Sequence, residues 1–322
     1  MQRFFRYLHS DTQVNKNSSS GGAFTMISDY ILDKGGVVYG CSLNDKNEAV
    51  HTRTEDTIQR DTMRGSKYIQ SNIAEVLELL SVDLKNGKKV LFSGTPCQCA
   101  AIYSYLDAKS INDTNLLTVE VICHGVGSNR FFRDYIEQKE RKYKSKAVKV
   151  RFRAKYREGQ KQDMAISFEN GKEYHSASTK FDWWYSIYLK NLVLRPSCYK
   201  CKYAKRERVS DLSLGDFWGY KNDKAYSLIV CNTNKGLELV KENNIGDLKE
   251  VEWEDVHQPY MISPPKLPKG REKFWDVYID KGYDEVQRMI GNNTLKGKMK
   301  YTFASFLQAT HLIKVVKKIK SK

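Results

Sequence analysis

The amino-acid sequence predicts an α/β fold: an N-terminal α/β sheet domain, a following α+β domain and a helical basic C-terminal tail. Three observations support this prediction. Helix-like and strand-like segments alternate up to residue 126, which is typical of a sheet with parallel strands. Beyond residue 145 the segments look like hairpin strands, and residues 295–322 carry eight lysines and no acidic residue. We place the domain boundaries at residues 1–110, 111–270 and 271–322.

The first half of the chain supplies the predicted parallel sheet. A helix over residues 23–33 begins after a Ser/Gly loop and ends at a Gly-Gly pair. The β-branched segment 37–43 that follows is predicted to be a buried strand. The alternation continues with predicted helices over 73–87 and 100–107 and predicted strands over 88–96 and 116–126.

The second half is predicted to contain an antiparallel element. Residues 146–155 and 163–176 look like hairpin strands, with Asn170-Gly171 as a turn. A helix over 181–194 and a strand over 226–233 follow. Four of the six prolines fall between residues 259 and 268, which favours an extended connector before the tail.

The composition predicts an intracellular globular protein. A chain of 322 residues with 40% hydrophobic residues can form one large or two ordinary domains. No apolar run approaches the roughly 18 residues of a membrane span, and the N-terminus lacks the apolar region of a signal peptide. We therefore expect a cytoplasmic protein, in which seven cysteines favour metal binding or catalysis over disulfides.

The net charge of +16 is concentrated at the C-terminus, where residues 295–322 supply half of it. An apolar helical face opposite the lysines is expected, formed by Leu307, Ile313, Val316 and Ile319. Such a tail can dock on an acidic partner or peripherally on the inner face of an anionic membrane, or can pack on its own domain. Nucleic-acid binding is not expected, because no stacking-aromatic or base-reading motif accompanies the charge.

Four of the cysteines are candidates for one shared site. Cys198 and Cys201 form a C-x-x-C pair, while Cys97 follows "FSGTP" and Cys123 follows "TVEVI", each at the end of a predicted strand. Because loops at the carboxyl ends of parallel strands meet at one edge of the sheet, these two cysteines can approach the pair. Four thiolates suit either tetrahedral zinc or an iron–sulfur cluster, and the spacing does not choose between them.

Six motifs occur together in order between Ser18 and about residue 270: "SSSGGAFT" (18–25), "RGSKYIQS" (64–71), "GTPCQCAAI" (94–102), "VICHGV" (121–126), "LRPSCYKCK" (194–202) and "SDLSLGDFWG" (210–219). With them the chain resembles the coenzyme F420 hydrogenase/dehydrogenase beta-subunit family of iron–sulfur flavoproteins. Many relatives carry an N-terminal ferredoxin-like segment with repeated C-x-x-C runs. This sequence has no cysteine before Cys41, so we expect that segment to be absent.

The resemblance implies two cofactors. A 4Fe-4S cluster would be held by Cys97, Cys123, Cys198 and Cys201, and Lys67 and His124 are the implied catalytic residues. Lys67 would neutralise phosphate or the reduced flavin, and His124 would shuttle protons. The resemblance implies FAD contacts at Gly21, Gly22, Gly65, Ser66, Lys67 and Tyr68. Further candidate FAD contacts beside these motifs are Ser20, Thr25, Thr95, Pro96, Asp211 and Gly215.

The implied activity is that of an oxidoreductase passing electrons between the flavin, the cluster and a partner or small-molecule substrate. The partner would be a redox protein such as a ferredoxin, or a reduced small coenzyme, with coenzyme F420 as one candidate. Similar proteins suggest a role in surface-polysaccharide biosynthesis. Two alternatives stay open: a zinc-stabilised basic binding module, and a membrane-peripheral assembly factor that has lost redox chemistry.

Overall fold

The computed structural model describes residues 2–155, 163–176, 182–218 and 225–290 of the chain. Its strands are β1 (Arg3–His9), β2 (Val37–Leu43), β3 (Ala49–Thr54), β4 (Val90–Gly94), β5 (Leu116–Val121), β6 (Ala147–Ala154), β7 (Asp163–Phe168), β8 (Glu173–His175), β9 (Leu212–Asp216), β10 (Ser227–Cys231) and β11 (Gly246–Val251). Its α-helices are α1 (Thr12–Asn17), α2 (Ala23–Asp33), α3 (Thr57–Asp61), α4 (Ala74–Lys85), α5 (Pro96–Ala108), α6 (Asn129–Tyr143), α7 (Trp183–Leu189), α8 (Asn234–Glu242) and α9 (Arg271–Ile290).

One large mixed sheet organises most of these elements. Its strand order is β11-β1-β10-β9-β5-β4-β2-β3. The four central strands β2, β4, β5 and β9 are parallel neighbours, whereas the strands on both flanks pair antiparallel. The predicted α/β class is therefore confirmed, with antiparallel flanks added to the expected parallel strands. Strands from both sides of residue 110 share this sheet, and the three domain boundaries stay predictions.

A second sheet, β6-β7-β8, lies beside α6, α7 and α9. The predicted turn at Asn170-Gly171 is found between β7 and β8, where Gly171 has a φ of 76° and its N–H donates to the Phe168 carbonyl. Trp184, at the centre of the aromatic core here, is fully buried and packs edge-on against Phe132 at 4.7 Å between ring centroids. This core supports the side of the sheet on which the cysteine loops lie.

Two predicted boundaries are corrected near the cysteines. The strand expected over 88–96 ends at Gly94, because Thr95 caps α5 together with Gln98 and Pro96 occupies the first helical position. The helix expected over 181–194 stops at Leu189, since Asn191 takes a left-handed φ of 62°. Both corrections matter, because they place Cys97 in the first turn of a helix and leave residues 190–201 outside the α-helix, with a 3-10 helix over Pro196–Lys200.

The C-terminal part of the fold is described as far as α9, which has a non-helical residue at Gly282. The remainder of the predicted basic tail, residues 291–322, lies outside the described residues. Within the described ranges, no helix is both long and apolar enough to cross a membrane.

Candidate functional site

A cavity of about 490 Å³ opens at the carboxyl ends of the central parallel strands. This is the edge at which open α/β sheets bind ligands. Its wall is formed by residues at and after the ends of β4, β5 and β9, together with the segments around residues 18–24 and 63–71. We refer to this space below as the cavity.

The Ser/Gly segment before α2 forms one end of the cavity. Ser20 and Gly22 line it, and Gly22 holds a left-handed φ of 88° as the N-terminal cap of α2. Free N–H groups at the start of a helix favour an anionic group such as a phosphate. Gly21 instead packs against the sheet: a Cβ atom there would lie 2.1 Å from the Tyr7 carbonyl oxygen. Its own backbone N–H donates to the Ser227 hydroxyl at 2.9 Å.

The segment 64–68 lies against the Ser/Gly segment. The backbone N–H of Ser66 donates to the Ser19 hydroxyl at 2.9 Å, and Gly65 and Ser66 both line the cavity. Thr25 is buried and lies outside the cavity wall, where its hydroxyl accepts a hydrogen bond from Arg64 Nε at 3.0 Å. Arg64 itself lines the cavity, so the wall carries a cation beside the α2 N-terminus.

Lys67 lines the cavity, but its ammonium group is committed to the backbone. Its Nζ lies within 3.1 Å of four carbonyl oxygens, those of Cys41, Thr62, Met63 and Arg64. Burial of the ammonium lowers its pKa to about 8. These bonds hold the turn after α3 in place, and the flavin contact and catalytic role predicted for Lys67 stay predictions.

The floor of the cavity combines aromatic rings with a buried ion pair. The ring of Tyr68 packs against Tyr188 at 4.9 Å, and burial raises the pKa of Tyr68. Arg153 pairs with both carboxylate oxygens of Asp216 at 3.0 and 2.8 Å, and all four side chains line the cavity. No sequence pattern singles out Arg153, because β6 lies far along the chain from any cofactor motif.

Asp211 and Gly215, beside and on β9, have different positions. Gly215 lies on the cavity wall. Asp211 is buried outside that wall and accepts hydrogen bonds from the Thr118 N–H at 2.9 Å and the Thr233 hydroxyl at 2.7 Å. These bonds connect β5 and β9 to the start of α8, so the contribution of Asp211 to the cavity is indirect.

Cys97 is an exposed residue in the first turn of α5. The Thr95 hydroxyl lies 3.2 Å from its sulfur, and Thr95 and Gln98 form the capping box of the helix. Pro96 is buried and shapes this turn without lining the cavity, whereas Thr95 and Cys97 do line it.

The loop carrying the C-x-x-C pair is held against the loop after β5. The Arg195 N–H donates to the Val126 carbonyl at 2.9 Å, and the Tyr188 hydroxyl donates to the Gly125 carbonyl at 2.8 Å. A Cβ atom at Gly125 would lie 3.3 Å from Cβ of Cys198. This pairing brings the loop that follows β5 next to Cys198, although the two segments lie far apart in the chain.

The four predicted cysteines are close enough to interact electrostatically. Burial raises the pKa of the Cys123 thiol, and the negative charges of Cys198, Cys97 and Cys201 raise it further. Cys97 and Cys123 also line the cavity, so the cysteine group and the cavity are contiguous. Across the described ranges, no set of three or more His, Cys, Asp or Glu side chains is arranged to hold a metal ion.

His124 lines the cavity next to Cys123. Its Nε2 lies 2.7 Å from the Asn191 amide oxygen, and its ring stacks on Tyr260 at 4.4 Å between centroids. The Asn191 amide nitrogen donates to the Lys266 carbonyl, which fixes the amide oxygen toward His124. Burial lowers the pKa of His124. The imidazole is therefore neutral near pH 7, with its proton on Nε2 and a lone pair on Nδ1.

His51 is a cavity residue that sequence reasoning missed, because it lies in a short strand without a motif. Its Nε2 donates to the Ser93 carbonyl at 2.9 Å, and its ring stacks on Phe92. The buried Nδ1 atom is consequently an acceptor, and it has no hydrogen-bond partner among the described residues.

The buried His51 predicts an acid-dependent loss of stability. Burial lowers its pKa from 6.5 to about 4, so between these values the unfolded chain binds a proton that the folded chain does not. Stability due to this group falls as the pH drops from 6.5 to 4, by about 3 kcal/mol in total. Urea unfolding of His51→Phe should show a weaker pH dependence in this range than the wild type. Equal slopes for wild type and His51→Phe would contradict the assignment.

Comparisons with known proteins agree with the fold and the motifs. Residues 87–256 match the family described as the C terminus of the beta subunit of coenzyme F420 hydrogenase/dehydrogenase. A chain in a solved structure of the F420-reducing [NiFe] hydrogenase complex from Methanosarcina barkeri superimposes with a TM-score of 0.55 at 17% identity, over 90% of each chain, which shows a shared fold. No curated protein matched the chain. Because the family model covers more than half of the residues, the chain belongs to the coenzyme F420 hydrogenase/dehydrogenase beta-subunit family.

Proposed function

We propose that this protein is an iron–sulfur flavoprotein oxidoreductase. In this proposal FAD occupies the cavity, a 4Fe-4S cluster is held by the four cysteines, and electrons pass between them and a partner or substrate. One observation carries the proposal: Cys97 and Cys123 belong both to the cysteine group and to the cavity wall. A flavin in the cavity would therefore lie directly beside the cluster ligands.

The residues present fit a flavin. A cavity of about 490 Å³ is within the range of roughly 300–1,000 Å³ found for small-molecule and cofactor sites. The α2 N-terminus with Arg64 suits a pyrophosphate, and the aromatic floor around Tyr68 suits a planar ring system. The direct contacts are assigned to Ser20, Gly22, Gly65, Ser66, Lys67, Tyr68, Thr95 and Gly215, whereas Gly21, Thr25, Pro96 and Asp211 support them from outside the wall.

The donor set of four soft thiolates suits a cluster, and Cys198, Cys97 and Cys201 are near enough to Cys123 to raise its pKa. The four side chains are not arranged around a metal ion in this structure, so cluster binding would draw them together. When bound, the flavin supplies two-electron chemistry and the cluster one-electron chemistry. The protein holds the two groups side by side. His124 would take part in proton transfer near the flavin through Nδ1, because its Nε2 donates to the Asn191 amide oxygen.

The donor and acceptor are proposed from the family and its solved relative. The relative is one chain of a hydrogenase complex, which supports a redox partner protein such as a ferredoxin for this chain. A reduced small coenzyme at the flavin, coenzyme F420 included, is the second proposed donor, as the family name indicates. The role in surface-polysaccharide biosynthesis and membrane contact through the tail stay predictions.

The first test is the absorption spectrum of protein purified without oxygen, with iron, zinc and flavin assayed on the same sample. We expect a flavin band, a broad iron–sulfur absorbance that dithionite bleaches, and about four irons per chain. Protein that contains zinc, binds no added FAD and stays colourless after reconstitution with iron and sulfide would overturn the proposal.

A further inference from the structure

The loop that carries the C-x-x-C pair is strongly basic. Between residues 195 and 206 five basic side chains are exposed: Arg195, Lys200, Lys202, Lys205 and Arg206. Glu207 is the one exposed acid between residues 195 and 208, and Arg208 points inward to the buried Glu120. Among the described residues, none of the five basic groups forms an ion pair, and the Arg206 guanidinium stacks on the Trp253 ring at 4.4 Å. We call these five residues the cysteine-loop surface.

Exposed apolar side chains border this surface. Leu189, on the cavity wall, is 49% exposed, while Ile262 and Leu267 are 67% and 63% exposed. The Asn191 amide donates to the Lys266 carbonyl, which places the segment 262–269 beside the same loop. That segment adds Lys266 and Lys269, both exposed, and no acidic residue. Apolar contacts next to a charged rim are typical of transient protein interfaces.

From these observations we infer that the cysteine-loop surface and the segment 262–269 form a docking site for a small acidic electron-carrier protein. The inference rests on the proposed cluster, because the basic residues lie in the same loop as its predicted ligands Cys198 and Cys201. A docked carrier would give up one electron to the cluster and be oxidised by one electron. An acidic partner is favoured because unpaired positive charge steers an oppositely charged protein and speeds its encounter.

The test uses charge reversal on the whole protein, with an acidic ferredoxin carrying two 4Fe-4S clusters as the probe. The variant is Lys200→Glu/Lys202→Glu/Lys205→Glu. The matched control is Lys85→Glu/Lys89→Glu/Lys109→Glu, which changes the net charge equally. These three lysines lie at the ends of α4 and α5 and before β4, at the opposite edge of the sheet from the cysteines.

Binding is measured by calorimetry at low and at high salt, with iron and flavin content assayed in each sample. We expect ferredoxin binding that weakens with salt, a loss of at least about tenfold in the loop variant and less than about twofold in the control. Because charge reversal beside Cys201 can impair the loop itself, Lys266→Glu/Lys269→Glu provides a second variant away from the cysteines. It should weaken binding about threefold or more while iron content is unchanged.

Three results would overturn the inference. One is equal weakening in the loop variant and the control, which would indicate bulk charge. Another is absence of ferredoxin binding by wild-type protein that contains both cofactors, which would leave the proposed function standing. The third is loop-dependent binding to phosphatidylglycerol vesicles without ferredoxin binding, which would assign the surface to a membrane. Wild-type protein without flavin and iron would overturn the proposed function as well.

Discussion

Replacement of Cys97, Cys123, Cys198 or Cys201 by serine, one at a time, should remove most of the iron from the protein. The four thiols interact electrostatically, so each loss should open one corner of the same cluster. Iron content should fall from about four per chain to below about one, with loss of the iron–sulfur absorbance. The folded fraction, followed by far-UV circular dichroism, should stay close to that of the wild type.

Two other cysteines provide matched controls. Cys99 lies two residues after Cys97 on the same helix but is fully buried, with its sulfur against the Val119 carbonyl. Cys231 is buried at the end of β10 and does not line the cavity. Serine at either position should leave the iron content unchanged. If Cys99→Ser lost iron while Cys97→Ser kept it, the ligand assignment would be wrong.

Local patterns predict those parts of the fold that depend on near neighbours in the chain. Helix α2 is predicted over residues 23–33 and is found over Ala23–Asp33. Strand β2 is predicted over residues 37–43 and is found over Val37–Leu43. Both have a clear hydrophobic pattern, and glycines separate them. The family motifs also locate the cysteines, since strand-end loops converge wherever strands are parallel.

Long-range pairing accounts for what local patterns do not predict. Strand β1 lies between β10 and β11, more than 200 residues away, and its short sequence alone gives no sign of those partners. The highly charged helix α6 (Asn129–Tyr143) was missed because only a narrow stripe around Phe132 and Tyr135 is apolar. His51 and Arg153 reach the cavity through the same kind of distant contact, so no local motif marks them.

The motifs do not show whether their glycines and lysine bind a phosphate or serve the packing of the fold. These residues in "SSSGG" and "RGSKY" suit a phosphate, yet Gly21 fills a gap too narrow for any side chain and Lys67 binds four carbonyls. Close backbone packing and phosphate binding call for the same residues. Only the positions of their neighbours in the fold separate the two uses.

Breaking the ion pair between Glu120 and Arg208 should have the largest effect on stability. Both side chains are essentially inaccessible to solvent, and the Ser213 hydroxyl also donates to Glu120 at 3.0 Å. Burial raises the pKa of Glu120, while the Arg208 charge opposes that rise. Glu120→Leu or Arg208→Met alone leaves an unpaired buried charge, which should lower the free energy of unfolding by about 3–5 kcal/mol. Urea unfolding of the cofactor-free chain at pH 7 measures this loss.

The double variant Glu120→Leu/Arg208→Met should recover more than half of that loss, because it removes both buried charges. Glu120 Oε2 and Arg208 Nη2 each lack a hydrogen-bond partner among the described residues, so the pair is imperfectly compensated. If the double variant were as unstable as the single ones, packing rather than charge would explain the effect.

If the double variant is stable, the ion pair has a role other than stability. Arg208 also donates to the Tyr203 carbonyl at 2.8 Å, and Glu120 lies three residues before Cys123. The pair thus joins the end of β5 to the loop that follows Cys201. We expect the double variant to fold yet to hold iron more weakly than the wild type, seen as faster loss of iron to a chelator. Retention at the wild-type rate would mean that the backbone pairing between Arg195 and Val126 positions the cysteines without this ion pair.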